Sequence, residues 1–169
     1  VSLIDDIIRL SQLDEAEDLP SEDLDLYELA KSQIDLLAPV ANSKGISLKL
    51  SGESFTVSVV RRLTQEIIYN LCENAIKYNK DGGKVDISIE SDLNEAVIRV
   101  ADTGIGIPPE HQARVFERFY RVDKSHSKET GGTGLGLSIV KHAVQYMNGT
   151  IHLESRFGEG TTVTVRLPK

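Results

Sequence analysis

The chain has 169 residues, with 26 Asp and Glu against 19 Lys and Arg, a net charge of -7 and a single cysteine. This length is typical of one domain with its own core, and the acidic balance argues against nucleic acid as a partner. One cysteine excludes an internal disulfide and no apolar run is long enough to cross a membrane, so the chain as given is expected to be a soluble protein of a reducing compartment.

The first segment combines a short helix with an acidic linker. Leu3, Ile7 and Leu10 follow heptad-like spacing, and the acidic stretch DEAEDLPSED comes after them. About three turns of helix cannot bury such a seam alone. The segment is therefore interpreted either as the tail of a longer helix or as a terminal helix packed on the domain.

The rest of the chain alternates between helical and strand patterns. Apolar periodicity predicts helices from Tyr27 to Ala41, from Val60 to Tyr78, around Gln112 to Phe116 and from Leu135 to Met147. Strict alternation predicts strands at ISLKL, FTVSV, VDISIE, AVIRVAD, TIHLES and GTTVTVRL, and the last four form two hairpins. This pattern predicts an α+β fold, a two-layer sandwich with helices on one face of a mixed, mostly antiparallel sheet.

The stretch NLCENAIKY places four functional side chains on the long predicted helix. Asn70, Asn74, Lys77 and Tyr78 fall within roughly 100° of one another at 3.6 residues per turn. An amide oxygen suits Mg²⁺, a lysine ammonium suits phosphate, and a tyrosine ring can cover a base. The alternative is a polar helix edge with a lysine that suits the helix dipole. Glu73 is expected to pair with Lys77 at i,i+4 spacing.

A second candidate group, DTGIG, follows the predicted strand AVIRVA directly. The carboxylate of Asp102 can meet a donor on a flat ligand, and Gly104 and Gly106 let the backbone approach closely. The alternative is an Asp-led turn with glycine at positive φ.

A third candidate group, GGTGLGL, opens the last predicted helix. Free N–H groups at a glycine-rich helix start favour an anion, most often phosphate. The spacing matches neither a P-loop nor the dinucleotide fingerprint, and a flexible hinge is the alternative. The candidate phosphate-binding residues are Gly132, Thr133, Gly134, Leu135, Gly136 and Leu137.

The three groups supply complementary parts of one binding site. One offers an acceptor for a base, one offers metal and phosphate contacts, and one offers a phosphate cradle. A single ligand, Mg-ATP, would use all three.

The order and wording of these motifs resemble the catalytic and ATP-binding domain of sensor histidine kinases, a branch of the Bergerat-fold ATPases. NLCENAIKY resembles the N box of that family, DTGIGI its first glycine box, FERFY its F box and GTGLGL its second glycine box. The resemblance extends over residues 25 to 169. It implies that residues 1–22 are the end of the dimerisation and phosphoacceptor helix with a linker, and that residues 23–169 are the catalytic domain.

The resemblance implies a role for each residue of the first two groups. Asn74 would bind Mg²⁺, Asn70 would support the metal and the phosphates, and Lys77 would contact phosphate. Tyr78 would line the base pocket, and Asp102 would accept a hydrogen bond from the adenine amino group.

The resemblance also implies a phosphate loop with a lid. Gly104 and Gly106 would shape the wall beside the base, and the loop with Gly132, Gly134 and Gly136 would hold phosphates. The aromatic residues Phe116 and Phe119 would anchor a lid, from which Arg121 would reach the γ-phosphate. The alternative for these three is a pair of core aromatics and a solvated arginine.

The implied reaction is transfer of the γ-phosphate of ATP to a histidine, followed by relay to an aspartate of a response regulator. No His-Glu phosphoacceptor box occurs in the chain, where the histidines are His111, His126, His142 and His152. The acceptor is therefore expected on an upstream helical hairpin. We expect this fragment to be a monomer, the full-length kinase to be a homodimer anchored in the cell membrane, and this domain to be cytoplasmic.

The chain departs from the family pattern at one place, and two alternative functions are considered. The family's Asp-containing turn before the N box is missing, and Ser58 is predicted to cap the long helix in its place. An ATP hydrolase of the same fold would need a water-activating Glu where this chain has Asn70, although Glu73 could act instead. A regulatory module that binds a partner through the Leu3, Ile7 and Leu10 seam would need no nucleotide.

Overall fold

The computed structural model describes residues 19–117, 120 and 136–169, together with Ile4, Ile7, Ile8 and Ser11. The elements of the described part are β1 (Glu22–Asp25), α1 (Leu26–Ser43), β2 (Ser47–Gly52), β3 (Thr56–Val59), α2 (Arg61–Lys77), β4 (Lys84–Ser91), β5 (Glu95–Asp102), α3 (Pro109–Gln112), α4 (Gly136–Tyr146), β6 (Thr150–Arg156) and β7 (Gly160–Pro168).

The main sheet has five strands in the order β2-β4-β5-β7-β6. Strand β2 is parallel to β4, and all other neighbours in this sheet are antiparallel. Both predicted hairpins, β4–β5 and β6–β7, are present. The predicted α+β fold with a mixed, mostly antiparallel sheet is confirmed.

Buried and exposed side chains alternate along the strands, and the buried ones pack against the helices on one face of the sheet. Val85, Ile87 and Ile89 of β4 are fully buried, whereas Lys84 and Asp86, which alternate with them, are exposed. The facing helices contribute their apolar sides to the same core, with α2 at its centre. Burial of each large aliphatic side chain stabilises the fold by about 1.5–3 kcal/mol relative to an exposed position.

Helix α1 begins at a side-chain cap and continues past a proline. Asp25 is the N-cap residue, and its Oδ1 accepts a hydrogen bond from the backbone N–H of Glu28 at 3.1 Å. Pro39 lies inside the helix, which ends at Ser43. The predicted helix is confirmed and is slightly longer at both ends.

Strands β1 and β3 form a separate two-stranded sheet, of which only β3 was predicted. The predicted FTVSV strand is present as β3, and Glu22–Asp25 pairs with it antiparallel. The pairing buries Leu24 against Val57 and Val59. The sequence EDLD has too few apolar residues to indicate a strand, and its partner decides its conformation.

The start of α2 differs from the prediction. Val60 is the N-cap residue and its side chain makes no capping hydrogen bond. Ser58 instead lies in β3, where it pairs with Asp23, so the prediction that Ser58 caps the helix is wrong.

The short helix after the DTGIG loop also lies earlier in the chain than predicted. Helix α3 covers Pro109–Gln112, and turns follow it up to Phe116. Proline is favoured in the first helical turn because its fixed φ suits a helix and its missing N–H has no helical partner there. The predicted range of Gln112 to Phe116 is therefore wrong except at Gln112.

The four described residues before Leu19 are helical, in agreement with the heptad pattern. Ile4, Ile7 and Ile8 are exposed, whereas Leu3 and Leu10 lie outside the described residues. Among the helices that the structure describes, none has the length and apolar character needed to span a membrane.

Candidate functional site

Two asparagines of α2 face the first residue of α4. Asn70 is 3% exposed, and its Nδ2 donates hydrogen bonds to the backbone oxygen of Glu66 at 2.7 Å and to Glu66 Oε2 at 3.0 Å. A Cβ built on Gly136 would lie 3.4 Å from Oδ1 of Asn74 and 3.6 Å from Oδ1 of Asn70. The structure therefore brings two predicted amide groups to the start of the last helix, where free N–H groups favour an anion.

Lys77 lies one turn further along α2 and forms an ion pair. Its Nζ is 3.1 Å from Glu73 Oε1, and the two side chains are 23% and 16% exposed. The predicted i,i+4 pair is confirmed. Because an ammonium group has three donors, the pair leaves Lys77 with donors for a phosphate oxygen.

Tyr78 ends α2 as its C-cap residue, so the helix stops one residue before the predicted end. The Tyr78 carbonyl accepts a hydrogen bond from the backbone N–H of Ile105 at 3.0 Å. A Cβ on Gly104 would lie only 2.3 Å from the same carbonyl oxygen. Gly104 is therefore required for the close approach of the DTGIG loop to the end of α2.

Asp102 is the last residue of β5, and its carboxylate lies between the DTGIG loop and the start of β7. Its Oδ1 accepts hydrogen bonds from the backbone N–H groups of Gly104 at 2.8 Å and Thr161 at 3.2 Å. Desolvation by burial raises the pKa of Asp102, and these two hydrogen bonds oppose that shift. Within the described residues both bonds to this carboxylate use Oδ1, which leaves Oδ2 for a donor on a ligand.

Gly106 supports the loop from the other side. It has φ of 71°, and a Cβ there would lie 2.1 Å from the backbone oxygen of Arg156. The loop also contacts the β6–β7 hairpin. The N–H of Gly158, in the turn, donates to Ile105 O at 2.7 Å, and the N–H of Ile107 donates to Oγ of Ser155, in β6, at 2.7 Å. Gly106 is thus required by the packing of the loop on the hairpin, apart from any contact with a ligand.

Asn79 is a buried polar residue that the sequence analysis missed. Its Nδ2 donates to the backbone oxygen of Lys84 at 3.0 Å, and its Oδ1 accepts from Thr103 Oγ1 at 3.3 Å. These bonds join the turn after α2 to the DTGIG loop. The NKDGG sequence predicts a turn, but the contact between Asn79 and Thr103 depends on the sheet.

Lys44 was also missed. It is the C-cap residue of α1, and its side chain contacts the end of α2. Its Nζ donates to the backbone oxygens of Ile76 at 2.8 Å and Lys77 at 2.9 Å. These carbonyls belong to the last turn, where an α-helix lacks internal donors. A cation at this position also complements the helix dipole.

Of the lid and loop residues, the structure describes three. Phe116 lies near α4, with Lys141 Nζ 5.9 Å from its ring centre. Leu137 is partly buried and packs against the core, and Gly136 is the first residue of α4. The other predicted residues, Phe119, Arg121, Gly132, Thr133, Gly134 and Leu135, lie outside the described residues.

Residues 58–169 match the family described as histidine kinase-, DNA gyrase B-, and HSP90-like ATPase. The chain belongs to this family of ATP-binding domains. Within it, the chain is the catalytic domain of a sensor histidine kinase, which confirms the resemblance seen in the motifs.

Curated relatives support this assignment. The sensor-like histidine kinase SenX3 of Mycolicibacterium smegmatis is 40% identical over 99% of this chain and 44% of the relative. The sensor histidine kinase RppB of Synechocystis is 40% identical over 98% of this chain and 37% of the relative. The chain thus spans less than half the length of these relatives.

Solved structures show the same fold. The catalytic domain of histidine kinase ThkA superimposes with a TM-score of 0.77 at 26% identity, over 88% of this chain and 95% of that domain. Full-length ShkA in complex with AMPPNP has a TM-score of 0.84 at 28% identity, over 98% of this chain and 35% of ShkA.

Proposed function

We propose that this domain binds Mg-ATP and transfers the γ-phosphate to a histidine on an upstream dimerisation helix, for relay to an aspartate of a response regulator. The observation that supports this most directly is that α2 extends from the start of α4 to the DTGIG loop and carries polar residues at both places. Asn70 and Asn74 border the start of α4, whereas Tyr78 meets the Asp102 and Gly104 loop. Asn74 and Tyr78 are four residues apart, about 6 Å along a helix.

Asn74 and Asn70 would hold Mg²⁺ together with the phosphates. Neutral amide oxygens are hard ligands suited to this ion, and both Oδ1 atoms lie near Gly136. The bound ion would neutralise the negative charge of the phosphates during transfer. Lys77 would add a positive charge on the same face of α2.

Asp102 would select adenine through Oδ2. Adenine offers an amino group to this acceptor, whereas guanine offers a carbonyl oxygen, and two acceptors would repel each other. Tyr78 would line the base pocket, and Gly104 and Gly106 would form the wall beside it. A Cβ at either position would overlap backbone oxygen atoms, so this wall requires glycine.

The second glycine box and the lid would complete the phosphate site. The N–H groups from Gly132 to Leu137 would hold the phosphates, and Phe116 and Phe119 would anchor the lid. Arg121 would reach the γ-phosphate when the lid closes.

Phosphoryl transfer is favoured over hydrolysis by the chemistry of Asn70. An amide cannot remove a proton from water, and the carboxylate of Glu73 is paired with Lys77. The γ-phosphate is thereby kept for an acceptor outside this chain. We place that acceptor on the helical hairpin of a longer, membrane-anchored and homodimeric kinase. In this proposal residues 1–22 are the end of the dimerisation and phosphoacceptor helix with a linker, and residues 23–169 are the catalytic domain. The fragment alone is expected to be a monomer.

Phosphorus NMR of Mg-ATP with and without the domain tests this proposal. We expect shifted or broadened ATP resonances and little free phosphate over several hours, because the acceptor histidine is missing. Rapid growth of the free phosphate signal would instead assign the domain as a hydrolase. Unperturbed ATP resonances would contradict a nucleotide site and leave the regulatory module.

A further inference from the structure

We propose that Glu66 is a positioning residue that holds the Asn70 side chain with its oxygen directed at the start of α4. The inference rests on the proposed function, because it concerns the orientation of one proposed Mg²⁺-binding group. Neither the predicted motifs nor the family resemblance assigns a role to Glu66.

The orientation of the Asn70 amide follows from its two partners. One end of the amide lies 2.7 Å from the backbone oxygen of Glu66 and 3.0 Å from Glu66 Oε2. Both partners are acceptors, so this end must be the NH₂ group, because an oxygen there would face two other oxygens. The Asn70 oxygen is then left on the other side, 3.6 Å from a Cβ built on Gly136.

The backbone oxygen and the carboxylate of Glu66 favour the same orientation, and the carboxylate makes the larger contribution. If the amide rotated by 180°, it would lose both hydrogen bonds and turn its NH₂ group toward the α4 start. Such a group would repel a cation, whereas the oxygen can bind one. The bond to the carboxylate is about twice as strong as a neutral hydrogen bond, so its loss removes most of the free energy that favours this orientation.

Helix geometry explains why Glu66 can reach Asn70. Residues four apart on a helix are neighbours on one face, and Glu66 lies one turn before Asn70 on α2. The same spacing repeats in Asn70 and Asn74. The three side chains thus form one row along α2, in which the first orients the second.

Calorimetric binding of AMPPNP, in Mg²⁺ and in EDTA, tests the inference on three variants. Glu66→Leu should lower affinity in Mg²⁺ by about ten-fold and leave affinity in EDTA within about two-fold, since the lost bond is charge-assisted. Glu66→Gln should have an affinity in Mg²⁺ between those of wild type and Glu66→Leu, because its side-chain oxygen still accepts from Asn70 but carries no charge. Asn70→Ala should lose most of the effect of Mg²⁺.

The outcomes separate this inference from the proposed function. Full Mg²⁺ dependence in Glu66→Leu, with loss of it in Asn70→Ala, would contradict the role of Glu66 and leave the proposed function intact. A Glu66→Gln variant as weak as Glu66→Leu would show that the charge of Glu66 matters rather than its acceptor, and would overturn the inference. Equal wild-type affinity in Mg²⁺ and in EDTA would overturn the metal site itself and the inference with it.

Wild-type protein provides a second test that does not depend on how the variants fold. The side-chain NH₂ protons of Asn70 should exchange slowly with solvent in an NMR experiment, because both acceptors hold them. The exposed Asn94 side chain is the reference within the same spectrum. Exchange at Asn70 as fast as at Asn94 would contradict the inference.

Discussion

Asp102 combines a cost in stability with a proposed role in binding adenine. Burial raises its pKa above the ordinary value of 3.8. A carboxyl whose pKa is raised in the folded state reduces stability as pH increases from its unfolded value through its folded value, and the reduction is complete above that range. Ionisation of Asp102 in the folded state therefore costs stability, which is typical of carboxylates in binding sites.

We predict that Asp102→Asn separates these two effects. Asn keeps the Oδ1 acceptor for Gly104 and Thr161 but replaces Oδ2 with a donor. Urea unfolding at pH 7 should show stability equal to or above wild type, and this advantage should disappear below about pH 3.8, where the unfolded wild-type carboxyl is also protonated. ATP affinity measured by calorimetry should fall by about 1.5–3 kcal/mol.

Asp86→Asn is the matched control for this prediction. Asp86 is exposed on β4, directly opposite Ala101 of β5. We expect neither stability nor ATP affinity to change by more than about 0.5 kcal/mol in this variant. Unchanged ATP affinity in Asp102→Asn would rule out the assignment of Asp102 to adenine.

At the scale of elements, the end of α2 depends on residues far away in sequence. The last turn contains Lys77 and leads to Tyr78, both proposed to contact the nucleotide. Lys44, which follows α1, donates to two carbonyls of this turn. The position of the C-terminal end of α2 is thus set partly by the residue that follows another helix.

We predict that Lys44→Met destabilises the domain by about 1.5–3 kcal/mol in urea unfolding, because it leaves two helix-end carbonyls without a charged donor. Lys49→Met is the control, since Lys49 is exposed on β2 and should change stability by less than about 0.5 kcal/mol. Equal stability of the two variants would show that the Lys44 contacts contribute nothing measurable.

The presence and type of an element were predictable where the local pattern is strong. The cores of α1, α2 and α4 and both hairpins follow from apolar periodicity and turn residues. Strand β1 could not be predicted, because EDLD becomes a strand only through pairing with β3. Ser58 lies within the predicted strand FTVSV, and it does not cap α2 because that strand continues to Val59 and Val60 is the N-cap residue.

At the scale of the whole molecule, the segment before β1 is attached to the C-terminal half of the domain. The backbone N–H of Leu19 donates to the hydroxyl of Tyr146, at the end of α4, at 2.9 Å. The two residues are 127 positions apart in the chain. This contact joins the predicted linker to the helix whose first residue borders the proposed phosphate site.

We predict that Tyr146→Phe loosens this attachment without unfolding the domain. Amide exchange at Leu19, followed by NMR, should speed up by about ten-fold, while the free energy of unfolding falls by no more than about 1 kcal/mol. Tyr27→Phe, at the start of α1, should leave the exchange rate of Leu19 unchanged. An unchanged rate in Tyr146→Phe would show that the hydroxyl does not hold the segment.

The sequence by itself determined the fold class, the family and the types of side chain in the site, because periodicity and short motifs depend on residues close together in the chain. It also predicted the Glu73–Lys77 pair, which needs only the geometry of one helix. Only the tertiary structure decided which residues support these groups. Asn79, Lys44 and Tyr146 bind partners on other elements, and no local pattern encodes a contact between segments that meet only when the sheet and helices pack.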